Sequence, residues 1–252
     1  MSLAIAAAVI LAVGQVPISP SQPAPPISGE QGAVQLAAAG DQLEAVPVIS
    51  VTPQSGGVEE TVAADYDAAV NLTNQYWATH FSEYVPGSYA PPHLYIGAEL
   101  PAGLYDAPAE TVYCGSTLLT DLNAWYCVIE DFVAFDIDLM LHSLTVGDAF
   151  IYFVVAHEWG HAIQARAAPE QRDQRIELQA DCLAGAALQG MANDGTLVFE
   201  PGDSEELVAG VASLGDPRPW TYPGDHGSAD ERVGELTRGM QLGVAACLQP
   251  TS

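Results

Sequence analysis

The sequence contains no lysine, and its six arginines face 32 aspartates and glutamates, a formal net charge of −26 over 252 residues. So few cations disfavour nucleic-acid binding, because phosphate contacts need clustered Lys and Arg. Attraction to anionic membrane surfaces is disfavoured for the same reason. Cysteine is scarce too: there are four, with no C-x-x-C spacing, which argues against a structural four-cysteine zinc site. Charge as a whole is low at 15% while hydrophobic residues make up 49%, so a disordered chain is excluded in favour of one with a core. The charge is also uneven. Residues 1–165 carry 18 acids and no Arg, and all six Arg lie between 166 and 238. Most carboxylates therefore lack a cationic partner and belong either in solvent or beside a metal.

The longest apolar run at the start, residues 3–13, is shorter than the ~20 residues a membrane-spanning helix requires. It has the length of a signal-peptide core, although no Lys or Arg precedes it, so residues 1–16 read as a signal-like or anchoring segment. Residues 17–60 hold Pro17, Pro20, Pro23, Pro25, Pro26, Pro47 and Pro53 among small and polar residues. Proline withholds backbone donors, which predicts an extended, disordered linker. A single folded domain then fills 61–250.

Within it, Val62, Tyr66, Ala69, Val70, Tyr76, Trp77 and Phe81 recur at helical spacing and predict a helix over about 62–82. Short strands are expected near 94–96, 111–114, 124–128 and 132–137. Residues 139–144 are ambiguous between strand and helix. Helical periodicity returns over 148–167 and 172–192, and again near 203–213 and 229–247. The fold class is α+β and mainly helical, with a small β-sheet ahead of the helix that begins at 148.

That helix carries His157-Glu158-Trp159-Gly160-His161, an H-E-x-x-H sequence. Residues i and i+4 share one helical face, about 6 Å apart along the axis, so two imidazoles can converge on one ion. Glu158, beside the first of them, is placed to act as general base on a metal-activated water. The eight residues before His157 are nearly all apolar, and burying two His and a Glu there without compensation would be costly. A third ligand is needed. The continuation found in metzincins is absent, since Gln164 and Ala167 stand where Gly and His would be. A second helix instead offers Glu177, 16 residues after His161, with Asp181 four residues on along the same face. That spacing suits Glu177 as ligand and Asp181 as acceptor for the second N–H of a ligating histidine.

Several ordered motifs, spanning about residues 66–243, resemble the bacterial neutral zinc metallopeptidases. They are Cys114-Gly115, Trp125-Tyr126-Cys127 with Asp136, the stretch from Ala156 to Gln164, Glu177-Leu178-Gln179-Ala180-Asp181-Cys182, and His226-Gly227-Ser228 with Arg232. The resemblance implies a zincin-like fold, a thermolysin-like ligand set of His157, His161 and Glu177 around Zn2+, and Glu158 as base. Two positions depart from the family pattern, Val128 for proline and Glu130 for aspartate, and neither is a proposed ligand.

The implied reaction is hydrolysis of a peptide bond in a peptide or protein substrate. His226, in a loop flanked by Gly224 and Gly227, is the candidate to stabilise the oxyanion, with Arg232 as support. Strand 132–137 is expected to serve as the edge along which an extended substrate pairs. A catalytically silent zinc-binding or protein-interaction domain that keeps the fold is the alternative, and retention of Glu158 argues against it. The four cysteines allow three pairings. Cys114 with Cys127 would close a strand–turn–strand, and Cys182 with Cys247 would tie the Glu177 helix to the last one. With the apolar N-terminus, disulfides imply a secreted protein or one tethered on the extracytoplasmic side of a membrane.

Overall fold

The computed structural model describes residues 58–107, 109–222 and 225–249. The signal-like segment at 1–16 and nearly all of the linker at 17–60 lie outside the described residues, as does any membrane tether they would form. Among the described residues, no helix is long and apolar enough to cross a membrane.

The chain opens with α1 (Val58–Tyr84), whose inward face carries Val62, Tyr66, Ala69, Val70, Trp77 and Phe81 into the core. A mixed sheet follows, formed by β1 (His93–Leu94), β2 (Leu104–Tyr105), β5 (Ala124–Cys127) and β6 (Phe132–Asp136), while β3 (Tyr113–Cys114) and β4 (Thr117–Leu118) make a separate hairpin. β6 is the centre of the sheet. It runs parallel to β1 and β2 and antiparallel to β5, with Trp125 opposite Ala134 and Cys127 opposite Phe132. All five of its residues are buried. β6 is therefore no free edge for a substrate, contrary to the sequence expectation. Its unbroken apolar run is the pattern of a strand covered on both faces.

Asp136 ends β6 and is fully buried. Its carboxylate accepts hydrogen bonds from the backbone N–H groups of Ala107, Leu122, Asp138 and Leu139. Two of these cap α2 (Ile137–Ser143), which resolves the ambiguous 139–144 stretch as helix. α3 (Asp148–Arg166), a 3-10 turn at Pro169–Gln171, α4 (Ile176–Asn193), α5 (Asp203–Ser213), α6 (Ala229–Leu242) and α7 (Val244–Cys247) complete the fold. The helix expected over 229–247 is broken at Gly243, whose φ of 74° suits glycine.

One large core lies between the helices and one face of the sheet. A smaller cluster of Tyr105, Val112, Leu119, Cys127, Phe132 and Ala134 fills the other face. The disulfide Cys114–Cys127 fastens the β3–β4 hairpin to β5 at this smaller core, and Cys182–Cys247 joins α4 to α7.

Candidate metal centre

α3 is apolar on almost every side and buried from Ala149 to Gln164 with few exceptions. A helix of that composition needs neighbours close on several faces, and three glycines provide the closeness. A Cβ on Gly160 would lie 3.0 Å from the carbonyl oxygen of Ala180 and 3.2 Å from its Cα, so α4 rests directly on α3 there. A Cβ on Gly185 would collide with the Leu236 carbonyl, and one on Gly239 with the Cys182 carbonyl, so α6 lies equally tight on the other side of α4. This stack brings His157 and His161 from α3, Glu177 and Asp181 from α4 and Arg232 from α6 into one group.

Donor atoms of His157, Glu158 and His161 all lie within 4.8 Å of one another. Glu177 Oε2 is 3.2 Å from His157 Nε2 and 3.4 Å from His161 Nε2. These separations differ from the charge-assisted hydrogen bond on the other side of the same ring, where His157 Nδ1 is 2.9 Å from Asp181 Oδ1. Two donors bound to one tetrahedral zinc at ~2.0–2.2 Å stand about 3.3–3.5 Å apart. The Glu177 oxygen thus stands from each Nε2 atom at the separation of neighbouring corners around one ion, and N,N,O is a donor set that zinc accepts. The residues present fit the metal.

The groups behind these atoms determine the tautomers. Asp181, fully buried, can only accept, so it requires a proton on His157 Nδ1 and makes Nε2 the atom that faces the centre. Arg232 completes this arm by donating through Nε and one terminal nitrogen to both Asp181 oxygens at 2.8 Å, with a further bond to the Leu214 carbonyl. Arg232 therefore supports Asp181, and through it His157, not the His226 loop.

For His161 the orienting group is Gln164, which sequence reasoning missed. Gln164 Nε2 donates to the Ile176 carbonyl at 2.6 Å and to Gln179 Oε1 at 3.0 Å, so its Oε1 must be the atom facing His161 Nδ1 at 2.9 Å. Gln179 is held in turn, with Nε2 donating to the carbonyls of Gln171 and Cys247. Both histidines are thereby aligned with Nε2 turned towards Glu177. The available signal was spacing: Gln164 lies three residues beyond His161, on an adjoining helical face.

Burial governs the charges. It works against an imidazolium at His157, but hydrogen bonds to Asp181 and Glu177 outweigh it and raise the pKa to about 10. Glu177 is held far below the usual carboxylate range, because the charge on His161 and hydrogen bonds from both histidines overcome its burial. A pocket that holds protons this firmly has the negative potential to hold a dication in their place. Glu158 is raised, chiefly by burial and against the pull of His161 and His157.

Among the described residues, His226 makes no hydrogen bond or ion pair with this group. Its side chain is 54% exposed, its Nδ1 is 3.8 Å from Asp216 Oδ1, and its backbone N–H donates to Asp216 Oδ2. The loop is anchored nearby, because Gly227 is buried against Leu178, the residue after Glu177.

A helical α+β domain with two histidines one turn apart and a carboxylate from the next helix is of the zincin type. The chain belongs to the family described as "Putative neutral zinc metallopeptidase", whose profile matches residues 35–248, starting inside the proline-rich segment. Among curated relatives it is 28% identical over 178 residues to the uncharacterized protein YpfJ of Escherichia coli (strain K12), covering 56% of this chain and 61% of that protein. It is 30% identical over 160 residues to the uncharacterized protein Rv2575 of Mycobacterium tuberculosis (strain ATCC 25618 / H37Rv) and to the uncharacterized protein Mb2605 of Mycobacterium bovis, covering 49% of this chain and 53% of each. The chain thus spans between half and two thirds of the length of these relatives. No solved structure matches it significantly.

Proposed function

We propose that this domain is a zinc-dependent peptidase in which His157, His161 and Glu177 hold the metal and Glu158 is the general base. The observation that carries the reading is the placement of Glu177 Oε2 at 3.2 and 3.4 Å from the two Nε2 atoms, the separation of donors that share an ion. When bound, zinc supplies a Lewis acid that polarises the scissile carbonyl and lowers the pKa of water.

The remaining work falls to the chain. Glu158, buried and raised, takes a proton from the attacking water and returns it to the leaving amine. Asp181 and Gln164 keep protons on the Nδ1 atoms of His157 and His161, so each ring presents its Nε2 inward. Arg232 offsets the charge of Asp181, which would otherwise be stranded in the core. His226 is proposed to close over the substrate and stabilise the oxyanion, its loop anchored beside Glu177 through Gly227 and Leu178. The substrate is an extended peptide or protein segment. The edge it would pair with is β5, which among the described residues pairs only with β6 and packs against α3. Two disulfides support action outside the cytoplasm.

The test is metal content and cleavage of a quenched peptide library by the wild type and by Glu177→Ala. One zinc per chain and chelator-sensitive cleavage are expected for the wild type, and both are lost in the variant. Stoichiometric zinc retained in Glu177→Ala would overturn the third ligand. A zinc-loaded wild type that cleaves nothing would favour the silent binding domain.

A further inference from the structure

The hydrogen bonds that align His161 lead away from the metal centre and end at α7. Gln179 is 2% exposed and its amide is fully used. Oε1 accepts from Gln164 Nε2 and from the Asp173 N–H, both at 3.0 Å, while Nε2 donates to the carbonyls of Gln171 at 2.7 Å and Cys247 at 2.9 Å. Such an amide has one orientation, because a flip would set its NH2 against the Gln164 NH2 and the Asp173 N–H. That orientation keeps the Gln164 oxygen on His161 Nδ1. Of the two acceptors that hold it, the Cys247 carbonyl is the distant one, 68 residues along the chain.

α7 has little strength of its own. It is four residues long, begins after Gly243 in the left-handed region, and is too short to persist as a helix in water. Packing of Val244 and Leu248 seats it, but its last residue is fixed from α4. Cys182 binds Cys247 covalently, and Gln179, three residues before Cys182 on an adjoining helical face, bonds the carbonyl of the same Cys247. α4 thus grips one residue twice, once through sulfur and once through an amide. Cys247 is 1% exposed, so water does not replace its carbonyl, and its displacement would leave a Gln179 N–H unpaired in the core. The other disulfide differs. Among the described residues, Cys114 and Cys127 make no hydrogen bond to Gln164, Gln179 or either histidine.

We propose that Cys247, fixed by its disulfide to Cys182, is a positioning residue for the metal centre: its carbonyl locks the Gln179 amide, which locks Gln164, which sets His161 for zinc. The proposal rests on the zinc reading of the site. It gives the C-terminal disulfide a part in metal affinity, separate from the stability that a covalent loop confers.

The experiment is a chelator competition for zinc on the full chain, with the visible absorption of the cobalt-loaded protein as a second readout. It compares Cys182→Ala/Cys247→Ala with Cys114→Ala/Cys127→Ala. Lost stability alone does not change the affinity of molecules that stay folded, so the second pair is the control for a purely structural role. Cys182→Ala/Cys247→Ala is expected to weaken zinc about fivefold, less than the roughly tenfold that loss of a partner directly on a ligating histidine costs, and to shift the cobalt spectrum. Cys114→Ala/Cys127→Ala should bind zinc as the wild type does. Should the Cys182 pair not fold, Gln179→Met, which keeps both disulfides, must show the same weakening and the same spectral shift. In a Gln164→Ala background, where the relay is already cut, neither change should cause further loss. Zinc affinity within about twofold of wild type in Cys182→Ala/Cys247→Ala or Gln179→Met would overturn the proposal alone. So would equal losses in the two cysteine pairs, or losses that add to that of Gln164→Ala. A wild type that binds neither zinc nor cobalt would overturn it together with the metal centre.

Discussion

Arg232→Ala should destabilise the protein more than replacement of any other arginine. The Asp181 carboxylate is fully buried, and Arg232, 3% exposed, gives it two of its three hydrogen bonds, both at 2.8 Å. Removing one member of such a buried pair strands the other charge and costs about 3–5 kcal/mol. The Leu214 carbonyl loses a donor as well, worth about 1 kcal/mol. For a domain of this size each kcal/mol moves the melting temperature by roughly 2–4 °C, so a fall of roughly 8–24 °C is expected. Arg232→Lys should lie between, since an ammonium keeps the charge but cannot form the two-pronged contact. The assay is thermal and urea unfolding with chelator present, which removes metal linkage from the comparison. Exposed Arg218→Ala is the control, expected within about 0.5 kcal/mol of wild type. If Arg232→Ala loses less than about 1 kcal/mol, the buried arm from Arg232 through Asp181 to His157 does not carry the weight assigned to it.

Gln164→Ala should weaken zinc about tenfold in a chelator competition, because His161 loses the acceptor that fixes its tautomer; unchanged affinity would contradict the relay through Gln179. Loss of Cys182–Cys247, which spans 65 residues, should cost about 4 kcal/mol, against about 3 kcal/mol for Cys114–Cys127, which spans 13, in urea unfolding of the paired Ala variants; the reverse order would refute the chain-entropy argument. Asp65, raised to about 6 from 3.8 by burial and then by the charge of Asp148, keeps its proton in the folded state after the unfolded chain has released it. Stability should therefore fall as pH rises from about 4 to 6 and stay reduced above that. Asp65→Asn should gain up to about 3 kcal/mol at pH 8 and nothing at pH 3. Urea midpoints across that range decide it, and no gain at pH 8 would count against the cost of burying Asp65 near Asp148.

Helices with strong periodicity were legible in the sequence, and α1, α3 and α5 stand close to the bounds their apolar spacing predicts. The closeness of Glu177 to the H-E-x-x-H pair was legible because the relations that matter are within one helix or between two consecutive ones. What was hidden depends on contacts distant along the chain. β2 and β4 are two-residue pairings that no periodicity can signal. β6 was taken for an edge because a strand's neighbours are a property of topology, not of its residues. Gln164 has no motif of its own and gains meaning only when Gln179 and the Cys247 carbonyl settle which way its amide faces. Arg232 was assigned to the nearby His226 loop, whereas α6 carries it to Asp181, 51 residues earlier in the chain.

The central claim is that Glu158 moves the proton at a metal held by its neighbours. It is tested most directly by peptide hydrolysis with zinc-loaded Glu158→Gln, the zinc content being read in the same sample. The account predicts that the variant keeps one zinc per chain while turnover falls by about 10²–10⁴-fold, the usual contribution of a positioned general base. A variant that keeps both its zinc and its turnover would contradict it.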